Sequence, residues 1–364
     1  MPWCWTAICW LLAFALSPQA GFAQTPIRVV TWNIETVGSD GSLEYEAALD
    51  VLDRIGADVV ALNEIASTAD AVNLEQFAAD AGYPHLAYSS VPPFGSDRNA
   101  VLSQHSFVDS PIEHTSAGLS GDPTANDITR LFLEVVIDIP GNAADLTLLT
   151  QHWKSGTGND DEFRRSIESI RIGQAISDLA SNLDAYVIAG DVNEEADSVP
   201  RTPHLFTSLP SGLPGSFSLG SDLAAQLSGA GISNNPYEHL LAADGTDAAI
   251  VAALQTDGSD ATRPASGRRL DYVLVSETIA AAGVSAEVYD SQDEGLSGGL
   301  TKFSSPPAAT ASSEASDHLP VFVDLVVPAE AIAVPAIEEW GMAALILLLS
   351  VTGAILSSRL RGAQ

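Results

Sequence analysis

The segment 185–193, with the sequence AYVIAGDVN, constrains the fold of this chain more than any other stretch. Its first five residues are apolar and favour β-structure, a pattern typical of a strand that is buried on both faces of an α/β sheet. Ligands in open α/β sheets bind beyond the carboxyl ends of the strands, where strand alternation predicts that Asp191 and Asn193 share one face. A structural Asx turn that closes the strand is the alternative interpretation of this segment alone.

The same pattern, an apolar strand that ends in polar residues, recurs along the chain. We predict further strands at 27–35, 58–64, 85–88, 99–103, 131–139, 146–152, 270–275, 284–289 and 319–327, and amphipathic helices at 43–55, 72–80 and 161–183. The first strand, helix and second strand form a βαβ unit, which indicates an α/β fold. The stretch 194–267 is more weakly patterned, with a short helix predicted at 248–254, and residues 290–316 are predicted to form an acidic loop.

Acids, amides and histidines gather at these strand ends. Metal-assisted hydrolysis of a phosphate ester needs hard oxygen ligands, a base for water, and donors for the phosphoryl oxygens. The chain offers such groups in strand order: Asn33 and Glu35, Glu64, His152, Asp191 and Asn193, Asp271, and then Asp317 with His318. Each one taken singly has an ordinary alternative, such as an exposed rim carboxylate or a loop histidine. The ordered set indicates a site for phosphoester hydrolysis.

Together these motifs resemble the endonuclease/exonuclease/phosphatase superfamily, the group of DNase I, the abasic-site endonucleases of the exonuclease III type and the neutral sphingomyelinases. The matching motifs follow the order of the family and are TWNIE (31–35), LNE (62–64), QHWKS (151–155), AGDVN (189–193), LDY (270–272) and SDHLPV (316–321). The resemblance covers residues 27–327. The fold that it implies belongs to the α/β class. It is a four-layer α/β sandwich of two packed mixed sheets, with the site at the top of the sheets.

The resemblance also implies a metal site and a general base. Glu64 is expected to be the principal Mg²⁺ ligand, with Glu35 and Asp317 close to the metal directly or through water. Mn²⁺ and Ca²⁺ are alternative ions for this site. His318 is expected to be the general base, held in place by Asp271.

The remaining motif residues are assigned by the same resemblance to the substrate. Asp191 is expected to position the attacking water or the leaving group. Asn193 and Asn33 are expected to hold phosphoryl oxygens. His152 is expected to act as the acid or as a second phosphate donor.

The charge of the chain limits how a polyanionic substrate can bind. The formal net charge is −32, and such a surface repels polyanions at long range. Three basic residues beside the motifs, Lys154, Arg98 and Arg269, are therefore predicted to bind substrate phosphate. Pairing with the abundant surface acids is the alternative for each of them. Affinity for nucleic acid has to come from such local cations and from metal.

The two ends of the chain indicate export. An apolar run followed by small residues predicts a cleaved signal peptide, with a retained anchor as the alternative. The last 30 or so residues resemble the tripartite C-terminal sorting signals of Gram-negative bacteria, and a core helix is the alternative for the uncharged run. The predicted parts are a signal peptide at 1–23, the catalytic domain at 24–327, a linker with a sorting motif at 328–340, a transmembrane helix at 341–358 and a short basic cytoplasmic tail at 359–364.

The sequence thus predicts an exported, Mg²⁺-dependent phosphoesterase that is extracellular or anchored at the periplasmic or cell surface. Its favoured substrates are the phosphodiester bonds of nucleic acids or nucleotides, cleaved by metal-assisted in-line attack of a water that His318 activates. The C-terminal helix is predicted to contact the membrane or a sorting protease, and no obligate protein partner is indicated. Two alternatives stay open: a phosphomonoesterase or lipid phosphodiesterase of the same fold, and a non-catalytic cell-surface binding module.

Overall fold

Two six-stranded mixed sheets form the centre of the molecule. The computed structural model describes residues 26–66, 68–140, 145–182, 184–196 and 202–328. With strands numbered in chain order, the first sheet contains β1 (Ile27–Asn33), β2 (Val59–Ile65), β3 (His85–Tyr88), β4 (Arg98–Ser103), β13 (Val284–Val288) and β14 (Val321–Leu325). Their order is β13-β14-β1-β2-β4-β3, and only the β1–β2 pair among them is parallel.

The second sheet has the same plan. It contains β5 (Ile112–His114), β6 (Phe132–Ile137), β7 (Leu146–Thr150), β8 (Tyr186–Asp191), β11 (Ala248–Ile250) and β12 (Asp271–Ser276). Their order is β11-β12-β8-β7-β6-β5, with β7 and β8 parallel and the other pairs antiparallel. A separate two-stranded ribbon joins β9 (Leu205–Phe206) to β10 (Ile232–Ser233).

Helices cover the outer faces of the sheets. In chain order the described helices are α1 (Leu43–Ile55), α2 (Thr68–Asp80), α3 (Ser116–Ser120), α4 (Asn159–Asn182), α5 (Ser221–Gly229), α6 (Glu277–Ala282) and α7 (Ala311–Ala315), with 3-10 turns at Pro264–Ser266 and Ser291–Asp293. α1 begins where the Ser42 hydroxyl accepts a hydrogen bond from the Tyr45 amide, and ends at Gly56, which has a φ of 65°.

Three apolar layers separate these elements. Between the sheets, alternate residues of facing strands pack together, for example Val29 and Val59 against Leu148 and Val187. A second cluster joins the outer face of the first sheet to α1 and α2, and a third joins the outer face of the second sheet to α4. The order helix, sheet, sheet, helix confirms the predicted four-layer α/β sandwich.

Two predictions of local structure are wrong. Residues 290–316 were expected to form an acidic loop, but they contain the 3-10 turn Ser291–Asp293 and helix α7 (Ala311–Ala315). The segment 248–254 was expected to contain a short helix, but Ala248–Ile250 is strand β11 and pairs antiparallel with β12, with Ile250 opposite Leu274. An alanine-rich segment has a high helix propensity, yet the free edge of β12 offers it a full set of backbone hydrogen bonds. The tertiary partner therefore overrides the local preference.

The apolar layer between the sheets ends in polar residues at one edge. The inward face of β1 runs from Val29 to Asn33, and that of β8 runs from Val187 to Asp191. Because β1 and β2 are parallel and β7 and β8 are parallel, their carboxyl ends lie at this edge, and antiparallel β12 begins there with Asp271. The fold thus collects polar side chains from both sheets at one place.

Some predicted parts lie outside the described residues. These are the signal peptide (1–23), the transmembrane helix (341–358), the basic tail (359–364) and all but the first residue of the predicted linker (328–340). Within the segments that are described, no helix combines the length and the apolar character that crossing a membrane requires.

Candidate active site

Asn33 joins two acidic residues that come from different sheets. Its Nδ2 donates to Glu64 Oε1 at 2.9 Å and to Asp191 Oδ2 at 3.0 Å. Its Oδ1 accepts from the Glu35 backbone N–H at 3.1 Å, so every polar atom of the buried amide is used. Two carboxylates are thereby held side by side at the junction of the sheets.

His152 lies beside the same two carboxylates. Its Nε2 is 3.7 Å from both Glu64 Oε1 and Asp191 Oδ2, and the side chain is fully buried. Neither ring nitrogen has a hydrogen-bond partner in the described part of the chain. Burial, reinforced by the positive charges of Arg130, His318 and Lys154, holds the pKa of His152 well below its usual range. A neutral imidazole with free nitrogens can bind a metal ion or a phosphate oxygen.

His318 and Asp271 form a second buried pair. Asp271 Oδ2 lies 2.7 Å from His318 Nδ1, which leaves the His318 Nε2 on the opposite side of the ring. Burial favours the neutral ring, but the charge of Asp271, followed by those of Asp191 and Asp317, raises the pKa of His318 to about 9. A carboxylate that holds one imidazole nitrogen fixes the orientation of the ring.

The backbone around this pair is fixed by buried hydrogen bonds. The Asp271 and Leu270 amides both donate to Thr262 Oγ1, at 3.0 and 2.9 Å. On the other partner, the His318 carbonyl accepts from Trp32 Nε1 at 2.9 Å. Two residues that are far apart in sequence are therefore positioned by one rigid core.

The donor atoms fit a divalent cation. One ligand atom each from Glu64, His152 and Asp191 lie within 4.8 Å of one another, and the same holds for Asp191, Asp271 and His318. Burial raises the pKa of Glu64 and of Asp191, in the latter case together with the charge of Asp271. A cation placed among these oxygens offsets that electrostatic cost, and carboxylate oxygens are ligands that Mg²⁺, Mn²⁺ and Ca²⁺ accept.

Backbone strain also concentrates at this edge. Among the described non-glycine residues, Glu35, Glu64, Asn193 and Ser304 have positive φ, with values of 56°, 65°, 52° and 42°. A left-handed conformation costs a non-glycine residue about 1–2 kcal/mol. Three of these four residues are candidate site residues, which is the distribution expected when strain serves the placement of side chains.

A family model for the endonuclease/exonuclease/phosphatase family matches residues 30–318, from β1 to the His318 of the buried histidine–aspartate pair. The chain belongs to the endonuclease/exonuclease/phosphatase family. Members of this family are hydrolases that act on phosphoester bonds, and they generally use divalent metal ions. No curated protein matches the sequence significantly.

The chain is similar to several solved structures. An endonuclease/exonuclease/phosphatase from Beutenbergia cavernae has 21% sequence identity and a TM-score of 0.52, and the match covers 85% of this chain and 73% of that one. Sphingomyelinase C from Streptomyces griseocarneus has 20% identity and a TM-score of 0.48, covering 82% and 99%. The human nocturnin catalytic domain has 14% identity and a TM-score of 0.47, covering 83% and 95%.

Two of the predicted metal ligands, Glu35 and Asp317, do not belong to either group of three residues that could hold a metal ion. Glu35 is exposed at the turn after β1, and only its backbone N–H is bonded to a site residue. Asp317 is 38% exposed and has its Oδ1 3.8 Å from His318 Nε2. Its Oδ2 accepts from Arg263 Nη2 at 2.7 Å. Asp317 therefore borders the site, and Glu35 lies on its rim.

Asn193 lies next to the site but is engaged by the backbone. Its backbone N–H donates to Asp191 Oδ1 at 2.7 Å, which closes an Asx turn. Its Nδ2 donates to the Trp153 carbonyl at 3.1 Å. The Asx turn expected as the alternative for AGDVN is thus present, and it ties the Asp191 strand to the residue after His152.

The three cations predicted to bind phosphate point to different partners. Lys154 Nζ pairs with Asp161 at 2.9 Å. The Arg98 guanidinium lies 6.0 Å from the centre of the Tyr88 ring, and that of Arg269 lies 4.5 Å from the Tyr272 ring. Within the described residues, none of the three forms an ion pair with a carboxylate of the two groups that could hold a metal ion.

Three buried amides and one arginine were not predicted. Asn63 accepts from the Asp191 amide through Oδ1 at 2.9 Å, and its Nδ2 donates to Asn99 Oδ1 at 2.8 Å. Gln151, the residue before His152, is fully buried, and its backbone carbonyl accepts a hydrogen bond from Asn63 Nδ2 at 3.1 Å. Two of these amides, Asn63 and Gln151, lie within the LNE and QHWKS motifs. Their burial is the feature that the sequence analysis did not predict. For Arg263, no local motif marks its position.

Proposed function

We propose that the protein is a Mg²⁺-dependent phosphodiesterase that acts on nucleic acids or nucleotides. The observation that carries this proposal is the meeting of a buried His318–Asp271 pair with the Glu64, His152 and Asp191 group across the two sheets. A base, two acids and neutral donors within one small volume are what in-line attack of water on phosphorus requires. Asp191 belongs to both groups and links them.

His318 is the general base of the proposed reaction. Its Nε2 is on the side of the ring away from Asp271, where the neutral form of the ring can take a proton from the attacking water. Asp191 and Asp317 contribute to the raised pKa of His318, and a divalent cation bound beside these carboxylates would offset that contribution and favour the neutral ring. Asp271 holds the ring and stabilises the imidazolium that results. Asp191, with a raised pKa, positions the water or gives a proton to the leaving oxygen.

Glu64 is the principal ligand of the proposed Mg²⁺. Asp317 and Glu35 act at the border of this site, directly or through water. Mn²⁺ and Ca²⁺ are alternatives because they accept the same oxygen ligands. When bound, the ion stabilises negative charge that develops on the phosphoryl group.

Neutral donors orient the substrate phosphate in this proposal. His152 is fully buried and uncharged, so its free nitrogen can serve a phosphoryl oxygen. Asn193 uses one of its two Nδ2 hydrogens for the Trp153 carbonyl, so the other can serve a phosphoryl oxygen. Both Nδ2 hydrogens of Asn33 are engaged by Glu64 and Asp191, so Asn33 would exchange one of these partners for the phosphate. Lys154, Arg98 and Arg269 contribute positive charge further out, which partly offsets the net charge of −32.

Export is also part of the proposal. It is supported by the sequence of residues 1–23, which resembles a signal peptide, and by the uncharged run 341–358 followed by Arg359 and Arg361. An extracellular or surface-anchored phosphodiesterase encounters nucleic acid in the medium. Cell fractionation with N-terminal sequencing of the mature chain tests this part, because an intact N-terminus in the cytoplasm contradicts it.

Hydrolysis assays with the full chain test the activity. Duplex DNA, RNA, bis(p-nitrophenyl) phosphate, p-nitrophenyl phosphate and sphingomyelin are each incubated with Mg²⁺ or with EDTA. His318→Ala is compared with the control His105→Ala. His105 follows the end of β4, and Arg98 lies at the start of the same strand. Metal-dependent cleavage of the nucleic acids that only His318→Ala abolishes is the expected result.

The other outcomes distinguish the alternatives. Cleavage of the monoester or of sphingomyelin alone identifies a phosphomonoesterase or a lipid phosphodiesterase of the same fold. Absence of hydrolysis with every divalent metal, in a folded protein, contradicts catalysis and supports a binding module. Equal loss in both histidine variants indicates a folding defect and not a catalytic role.

A further inference from the structure

Arg263 lies on a short turn that is anchored beside the His318–Asp271 pair. The Thr262 and Arg263 amides both donate to the Arg268 carbonyl at 3.0 Å, and a 3-10 turn at Pro264–Ser266 lies between them. The Thr262 carbonyl accepts from the Leu319 amide, at 2.6 Å, next to His318. The start of this turn is therefore tied both to the β12 end that bears Asp271 and to the loop that bears His318.

The Arg263 side chain turns toward the candidate site. Its Nη2 and Nε lie 2.7 and 3.1 Å from the same oxygen, Asp317 Oδ2. The hydrogen bonds that Arg263 donates to Asp317, and the charges of Asp317, Asp191 and Glu64, raise the pKa of Arg263, although burial opposes them. Of the arginines in the described segments, Arg263 is the one that forms an ion pair with a predicted site carboxylate.

The pair with Asp317 is weak and solvent-accessible. The two side chains are 45% and 38% exposed, and exposed ion pairs contribute little to stability. Both guanidinium nitrogens share one carboxylate oxygen, so the pair lacks the two parallel hydrogen bonds of a bidentate contact. The guanidinium can therefore change partners at little cost.

We propose that Arg263 is a ligand of the substrate phosphate and that Asp317 holds its guanidinium beside the site until the phosphate binds. This inference rests on the proposed phosphodiesterase function and adds a residue that contacts the substrate. A phosphoryl group offers two coplanar oxygens to the guanidinium, which is the geometry that Asp317 fails to supply. A cation bound near Asp317 competes with Arg263 for the carboxylate and so favours the exchange.

Orthophosphate is the probe, because its binding can be measured without turnover. Isothermal titration and ³¹P line broadening are recorded on the full chain, with and without Mg²⁺, for wild type, Arg263→Gln, Asp317→Asn and the double variant. Arg268→Gln is the matched control, since Arg268 lies on the same turn but pairs with Glu195. Near-ultraviolet circular dichroism verifies that each variant is folded.

The double variant separates a phosphate ligand from a residue that acts only through Asp317. We expect Arg263→Gln to weaken phosphate binding by about tenfold, both in the wild-type background and in the Asp317→Asn background. Arg268→Gln should bind phosphate as wild type does. If removal of Arg263 has no effect once Asp317 is Asn, Arg263 only positions Asp317, and the proposal is overturned.

Failure of this inference is distinct from failure of the proposed function. A wild-type protein that cleaves diesters but binds phosphate independently of Arg263 retains the function and loses the inference. A wild-type protein that binds no orthophosphate overturns the inference whatever the hydrolysis assay shows. Inactivity toward every ester, with Arg263-dependent phosphate binding, contradicts the function and supports the assignment of Arg263.

Discussion

Asp271 and Asp191 stand directly opposite each other in the antiparallel pairing of β12 with β8. Their carboxylate oxygens and a His318 ring nitrogen lie within 4.8 Å of one another. Two like charges at such a distance in a buried site repel, and the charge of Asp271 is one cause of the raised pKa of Asp191. The sheet register itself therefore assembles the acidic and basic groups of the site.

Asp271→Asn should lower kcat by about a hundredfold or more, because the neutral amide no longer stabilises a charged His318. The side-chain volume is preserved, so the free energy of unfolding should change far less than activity does. Hydrolysis of bis(p-nitrophenyl) phosphate measures the effect. Asp260→Asn, an exposed carboxylate before the same strand, is the control. A variant with nearly wild-type kcat contradicts the role of Asp271.

Mg²⁺ should stabilise the folded protein through Glu64. A ligand at about 100 times its dissociation constant adds about 2.7 kcal/mol to the free energy of unfolding when it binds the folded state alone. Thermal unfolding in Mg²⁺ and in EDTA measures this shift for wild type, Glu64→Gln and the exposed control Glu75→Gln. We expect the shift in wild type and in the control only. An equal shift in Glu64→Gln would place the ion elsewhere.

The layers of the fold could be predicted because they depend on local patterns. Strand β8 and helix α4 were found at 186–191 and 159–182, close to the apolar run and the helical stripe that predict them. Their inward and outward faces follow from periods of 2 and 3.6 residues. The edge strand β11 was mistaken for a helix because its partner, β12, is more than 20 residues away in sequence.

The candidate site was predictable residue by residue but not contact by contact. Strand alternation predicted that Asp191 and Asn193 share a face, yet the strand ends at Asp191 and Asn193 has a φ of 52°. In this left-handed conformation, the side-chain Nδ2 of Asn193 donates a hydrogen bond to the Trp153 carbonyl. Arg263 reaches Asp317 across 54 positions, and a composition of abundant acids gives no hint of which carboxylate an arginine will select.

Asp222→Asn should reduce the loss of stability in acid. Asp222 Oδ2 accepts from Arg171 Nη1 at 2.7 Å and from Gln174 at 2.8 Å. Burial alone opposes ionisation, but these hydrogen bonds and the Arg171 charge hold the pKa of Asp222 below 3.8. A lowered carboxyl pKa gives stability that is complete above the unfolded value and is lost as the pH falls through the folded value.

The measurement is the unfolding free energy in urea from neutral pH to below pH 3.8, the ordinary value for this group. The difference between wild type and Asp222→Asn should shrink as the pH falls through this range. Asp178→Asn, an exposed carboxylate on the same helix as Arg171, should show no such trend. A constant difference for Asp222→Asn would show that its ionisation is not coupled to folding.

Gly190→Ala should be strongly destabilising because two strands meet too closely at this position for a side chain. A Cβ there would lie 1.8 Å from the Gln151 carbonyl oxygen, and the φ of Gly190 is 148°. Gly258 also has a positive φ, of 96°, but a Cβ at that position meets nothing within 4 Å. The comparison of the two variants therefore isolates the clash from the cost of the backbone conformation.

We expect Gly190→Ala to lose about 2 kcal/mol more stability than Gly258→Ala in urea unfolding. Relief of the clash has to move either Asp191 or His152, since these residues follow Gly190 and Gln151 directly. Activity at temperatures where the variant is still folded should therefore fall as well, whereas Gly258→Ala should keep it. Equal stability of the two variants would contradict the close approach of β8 to the Gln151 carbonyl. Full activity of a destabilised Gly190→Ala would show that the site tolerates displacement of these side chains.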